Sequence, residues 1–112
     1  MTTAFASEAA RVRRIGHLSE NDIARATGAA PSTVRAWIAD RRSPTGKRAE
    51  RLAELSAIVD RLVEVMKPAY VPVWMRKPSA ALDDEKPLDV IAAGEYRKVS
   101  RLVSALESPV AS

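Results

Sequence analysis

Six basic side chains, Arg35, Arg41, Arg42, Lys47, Arg48 and Arg51, crowd the stretch between Ser32 and Arg51, against Asp40 and Glu50 as its acidic residues. That stretch carries 6 − 2 = +4, and the 18 basic and 14 acidic residues of the whole chain also leave +4, so everything else sums to zero. A cationic surplus held on one short segment suits an anionic partner. The other groups capable of chemistry are less well arranged. Asp83, Asp84 and Glu85 are adjacent carboxylates beside Lys86 and Pro87, which reads as a solvated connector rather than an acid and a base converging on a substrate. His17 has no serine, cysteine or carboxylate constellation around it, and next to Gly16 it reads as a loop residue. There is no cysteine, hence no disulfide and no thiolate metal site, and one histidine does not build a zinc centre. With no phosphate-cradling glycine motif either, the chain reads as a non-enzyme without cofactor or metal.

Such cations act only when a scaffold presents them. At 112 residues one compact domain is the default, with two tightly packed half-size modules as the alternative, since neither half buries much alone. Aromatic residues make up only 4% while Ala, Leu, Val and Arg dominate, a mixture that favours helices. The opening MTTAFASEAARVRR lacks the charged-then-apolar order of a signal peptide, and no apolar run approaches a membrane span, so a soluble cytoplasmic protein is expected.

The expected architecture is all-α. Residues 8–15 read as a first helix, halted by Gly16. Ser19 is the N-cap of the next, with Asp22 as return partner of a capping box and Leu18 stapled onto Ile23. Gly28 supplies a turn after Thr27, and Pro31 suits the first position of a third helix, where its missing amide hydrogen costs nothing. Val34, Trp37 and Ile38 form that helix's buried stripe. After RRSPTG comes the longest pattern, residues 47–67, with Leu52, Leu55, Ile58 or Val59, Leu62 and Val65 or Met66 recurring every three or four positions. Pro68 bars its continuation. Beyond it, Pro68, Pro72, Pro78 and Pro87 break the chain into brief helical pieces at residues 70–76 and 79–82 and another from Pro87 to about Gly94. A last helix over residues 95–107 shows an apolar face of Tyr96, Val99, Leu102, Val103 and Leu106.

The segment LSENDIARATGAAPSTVRAWI, Leu18 to Ile38, resembles the helix-turn-helix of the phage-repressor-like, or Xre, family. Two closely crossing helices require a small residue at Ala24, a tight turn at Gly28 and apolar Ile23, Val34 and Trp37 filling the angle. The resemblance assigns Pro31, Ser32, Arg35 and Ala36 to base edges in the major groove. Arg35 has the fork for bidentate pairing with guanine, and Ser32 is a less selective donor. Arg41, Arg42, Lys47 and Arg48 would then contact phosphates, adding affinity without direct sequence information. Two positions depart from the family pattern: Ala30 stands where a Ser or Thr N-cap is usual, and Glu20 lies near a position often turned towards phosphate.

The segment VWMRKPSAALDDEKPLDVIAAGEYRKVSRLVSAL resembles the toxin-binding domain of the MbcA, ParS and Xre antitoxins, through Trp74 and Met75, Pro78, Leu82, Pro87 with Leu88 and Asp89, Gly94, and the closing helix through Val99 and Leu102. The order of the two segments is that of mycobacterial MbcA-like antitoxins. The resemblance implies a helix-turn-helix domain over residues 1–67 and a toxin-binding module over 68–112. It implies as partner a RES-domain toxin that consumes NAD, blocked at its active site, together with promoter DNA and a homo-oligomer or a symmetric complex with the toxin. Trp74, Tyr96, Arg97, Arg101, Leu106 and the tail Ser108, Pro109, Val110, Ala111 and Ser112 are the toxin-binding candidates, although a lone Trp among prolines also reads as the core plug of a small module. The competing reading is a stand-alone repressor whose C-terminal module dimerises.

Overall fold

The computed structural model describes residues 4–108, with side chains from Glu8 onward; these form seven α-helices and two short 3-10 turns, with no strand among the described residues. The first helix, α1, spans Ala4–Gly16, starting earlier than the apolar spacing indicates. Helix α2, Glu20–Thr27, begins at the expected capping box: the Asp22 amide donates to Ser19 Oγ (3.1 Å) and the Ser19 amide to the Asp22 carboxylate (3.0 Å). Gly28 closes α2 in the left-handed region (φ 79°), where a Cβ is strained, and its amide reaches the Ala24 carbonyl. Pro31 opens α3, Pro31–Ile38, behind Ala30, which gives no side-chain cap.

Helix α4 runs Gly46–Val65. It ends two residues short of the expected Lys67, because Pro68 disfavours a helical Lys67 and the chain is already extended at Met66 (φ −150°, ψ 163°). A 3-10 turn, Pro68–Tyr70, leads into α5, Val71–Arg76, so the expected piece at 70–76 divides in two. A second 3-10 turn, Ala80–Leu82, precedes the exposed acidic residues, where Asp83 and Asp84 both take positive φ. An isolated bridge pairs Ser79 with Glu85, the Ser79 amide donating to the Glu85 carbonyl (3.1 Å) and the Asp84 amide to the Ser79 carbonyl (2.8 Å). Helices α6, Pro87–Ala92, and α7, Tyr96–Glu107, complete the described chain.

Helix α4 is the hub. It packs against α1, α2, α5, α6 and α7, and its Leu52, Leu55, Ile58, Val59 and Leu62 are fully buried. Each such side chain contributes about 1.5–3 kcal/mol of burial. One apolar cluster takes in Val12, Ile23 and Trp37 from the first three helices, the α4 stripe, and Val71, Met75, Leu88, Ile91, Val99 and Val103 from beyond it. The core is thus continuous across residue 67. Gly16 lets α1 approach α4 closely, since a Cβ there would sit 2.7 Å from Val59 Cγ1. Ion pairs reinforce the join between the halves. Arg76 on α5 forks onto the Asp22 carboxylate (2.8 and 2.5 Å), and Arg25 on α2 pairs with Asp89 on α6 (Nη2 to Oδ2, 3.1 Å). Among the described residues no helix is long and apolar enough to cross a membrane.

Candidate functional site

Two surfaces hold the expected site residues. The first is built by α2 and α3. Val34 and Trp37 anchor α3 in the core, which turns Pro31, Ser32 and Arg35 outward. Ala36 departs from its expected base-edge role: it is buried beside Trp37, and its carbonyl accepts the amide of Arg41 (2.9 Å). Arg41 and Arg42 are exposed in the turn after α3, where Asp40 takes φ 60°, and Lys47 and Arg48 are exposed on the first turn of α4. That turn carries no acidic residue, so its helix dipole adds to the positive potential.

Arg35 is exposed yet engaged. Its Nε and Nη2 lie 3.2 Å from Glu20 Oε1, and Glu20 Oε2 accepts from Arg13 Nη1 at 3.0 Å. Glu20, noted in the sequence only as a departure from the family pattern, is thus a carboxylate shared between two guanidiniums. Arg51, counted above in the basic cluster, does not belong to this surface. Its side chain is only 17% exposed, hydrogen-bonds Glu54 (3.1 Å) and lies against Gly94. Gly94 meets two demands there, a φ of 84° and the space for Arg51 Nη2, which a Cβ would approach to 2.7 Å.

The second surface is the outer side of α7 with the segments beside it. Tyr96 is half-buried and lines an open cleft of about 510 Å³ with Glu54, Gly94, Glu95, Arg97, Lys98 and Arg101. Arg101 and Lys98 also border a second groove, of about 380 Å³, floored by Leu82, Leu102 and Ala105. Arg97 and Arg101 are exposed, Leu106 is 38% exposed, and Ser108 lies exposed just past the helix end. Trp74 packs on the core as a partly buried side chain, and with Tyr70, Pro78, Pro87 and Leu102 it lines a third groove of about 200 Å³. Pro109, Val110, Ala111 and Ser112 lie outside the described residues. Tyr70, at the end of the 3-10 turn, and Val73, on the outer side of α5, are both 47% exposed, and the sequence reading singled out neither.

The electrostatics of these surfaces follow from their partners. Burial pushes the Asp22 carboxyl up, but the Arg76 guanidinium and the Ser19 amide outweigh it and hold it below its ordinary value. On α7, hydrogen bonds from Arg61 hold Glu107 below its ordinary value, and Glu107 in turn raises Arg61. Glu8 moves the other way. Burial raises it, only partly offset by Ser56 and Arg11, and its Oε1 is buried without a hydrogen-bond partner.

The helical pair at Leu18 to Ile38 and the basic turn after it define a helix-turn-helix protein carrying a helical C-terminal half, and the helix-turn-helix family matches residues 10–55. The mycobacterial cidal antitoxins MbcA of Mycobacterium tuberculosis and Mycobacterium bovis are each 32% identical over 99 residues, spanning 88% of this chain and 87% of theirs. The crystal structure of the M. tuberculosis MbcT–MbcA toxin–antitoxin complex contains a chain that superposes with a TM-score of 0.84 at 30% identity, covering 96% of this chain and 97% of that one. The chain belongs to the MbcA family of antitoxins.

Proposed function

We propose that this protein neutralises a toxin enzyme by binding it through the C-terminal half, residues 68–112, and covering its active site, with no reaction of its own. The observation that carries this reading is the near full-length likeness to an antitoxin solved together with its toxin. The partner is a RES-domain toxin that consumes NAD and is encoded beside this chain. The surface around α7 supports the reading: Tyr96, Arg97 and Arg101 line shallow grooves, Leu106 is exposed on the last turn of α7, and exposed Tyr70 shares a further groove with Trp74 and Leu102. Such a face offers an enzyme both apolar contact and arginines, residue types that protein interfaces favour. Affinity comes mainly from these helix surfaces, while the small residues 108–112 enter the toxin's substrate cleft, where a proline limits the entropy lost on ordering. Removing residues 108–112 should leave a complex that still copurifies but restores NAD consumption by the toxin. Full protection by the shortened chain would sink the tail's role.

The helix-turn-helix half, residues 1–67, binds the promoter of the same operon. Ser32 and Arg35 face base edges, and Arg41, Arg42, Lys47 and Arg48 face phosphates; their common exposure on consecutive segments supports this. Arg41→Ala should weaken binding to all sequences alike and flatten the salt dependence by about one unit. If the protein shows no salt-sensitive binding to its promoter, with or without toxin, this role is wrong. Paired half-sites and the apolar surface left exposed favour a dimer or a symmetric complex with the toxin. A monomer by light scattering that stays monomeric with toxin would contradict that.

A further inference from the structure

The last turn of α7 has little of its own to hold it. Val99 and Val103 are the buried residues of the helix, and from Ser104 to Glu107 every residue is exposed. No glycine stops the helix in a left-handed cap, no basic residue occupies its last turn, and the C-cap Ser108 (φ −126°, ψ 61°) contributes a single amide bond to the Ser104 carbonyl. Terminal turns with unpartnered carbonyls fray readily.

What holds this turn comes from another helix. Arg61 of α4 lays its guanidinium along one face of α7. Nη1 donates to Ser100 Oγ (2.6 Å), and Nη2 to the Ser100 carbonyl (3.2 Å), Ser104 Oγ (3.0 Å) and Glu107 Oε1 (2.7 Å). Nε donates to Glu107 Oε2 (3.0 Å). Ser100, Ser104 and Glu107 are spaced four and three apart, so one planar fork spans two helical turns. The cation also sits at the negative end of the α7 dipole. Its own base is rigid, for Arg61 lies between the fully buried Ile58 and Leu62 of the hub helix.

We propose that Arg61 is a positioning residue for inhibition: it acts as a clamp supplied from α4 that ties Ser100, Ser104 and Glu107 together, and so fixes where α7 ends and the point from which the chain leaves it toward the toxin. This rests on the tail reading given above. Loss of one turn displaces the root of the tail by about 5 Å along the helix axis, more than a narrow cleft tolerates. A lysine does not substitute, because a single ammonium cannot span three residues.

The test compares R61A, R61K and the unaltered chain, each with and without residues 108–112, in complex with the toxin encoded beside it. NAD consumption, copurification and amide exchange are the readouts. In the full chain both variants should copurify with toxin yet raise the concentration for half-inhibition about tenfold, as loss of a charged hydrogen-bond network predicts. Amides of residues 104–108 should exchange faster while those of 52–62 stay protected. In the shortened chain the same substitutions should add nothing, because the clamp acts only through the tail. Equal losses in full and shortened chains would make Arg61 an ordinary interface or stability residue and overturn the proposal. So would unchanged protection by R61A where shortening alone leaks. Full protection by the shortened chain without substitution would overturn the tail reading and this proposal together, an outcome distinct from the other two.

Discussion

The turn after α3 and the seam between α4 and α7 use arginine in opposite ways. Between α3 and α4, Arg41 and Arg42 stand exposed on a turn, and Arg35 on α3 is exposed while paired with a carboxylate of the neighbouring helix. Around α7, Arg51 and Arg61 are drawn in against Glu54, Gly94, Ser100, Ser104 and Glu107. The residue type is the same and the charge is the same. What differs is whether the fold closes around it, as Glu54 of the same helix and the Gly94 turn do for Arg51 and as Ser100, Ser104 and Glu107 of α7 do for Arg61. An arginine left in water offers its fork to a ligand, whereas one met by internal acceptors becomes part of the frame.

The comparison can be broken most severely at the hub that both ends share. Ile58→Ala empties a fully buried position of α4 and should cost about 2–5 kcal/mol of stability. Because the core is continuous, urea denaturation should show one shifted transition, with DNA binding and neutralisation lost over the same range. Loss of one activity at a denaturant concentration that spares the other would show that the ends are held separately.

A smaller change sharpens the contrast. Glu20→Gln removes the charge shared by Arg13 and Arg35 and frees Arg35 for a base or phosphate. Exposed pairs of this kind are worth about 0.2–1 kcal/mol, so promoter affinity should rise by up to about fivefold, with a steeper salt dependence. Neutralisation should be untouched. A fall in affinity would instead mean that Glu20 holds Arg35 in its reading position.

The smallest expected effect is on pH. Asp22 and Glu107 are held below their ordinary values, so their stabilisation is complete above the unfolded carboxylate range and disappears as pH falls through their lowered folded values. Glu8, raised by burial, contributes in the opposite sense: its share is complete in acid and is lost as pH rises through its folded value. Thermal melts should therefore show stability rising slightly from neutral pH towards the upper edge of the carboxylate range, then dropping below it. Asp22→Asn should blunt the drop, and an unchanged acid limb in that variant would remove Asp22 from the account.

This division of arginines also marks the limit of what the sequence discloses. The capping box of Ser19 and Asp22, the turn at Gly28 and the start at Pro31 were all legible, because each depends on residues a few positions apart. The stripe of α4 was legible from its spacing. The outward placement of Ser32, Arg41 and Arg42 followed from the helix-turn-helix resemblance. Glu54 at i+3 was the one local hint that set Arg51 apart from Arg48, and nothing local marked Arg61 and Arg76 as fastened. Arg76 finds Asp22 across 54 residues, Arg61 finds Glu107 across 46, and Arg25 finds Asp89 across 64. Pairings at that range depend on tertiary packing, which charge counting along a segment does not register. Ala36 was misplaced for a related reason, since its burial depends on how far α3 is rolled against its neighbours.

The unbroken core across residue 67 bears on how long the protein lasts. Met75, Leu88 and Val103 close over the same interior as Val12 and Trp37, so a truncation that strips away the second half uncovers the first. A protease that reaches its cleavage sites through opening of the folded state acts in proportion to the population of open molecules. Here that opening is shared by both ends, so one rate should govern the loss of the toxin inhibition and of the DNA binding proposed above. A timed digest assayed for both activities should give a single decay, and two separable half-lives would mean that the chain is retired in parts.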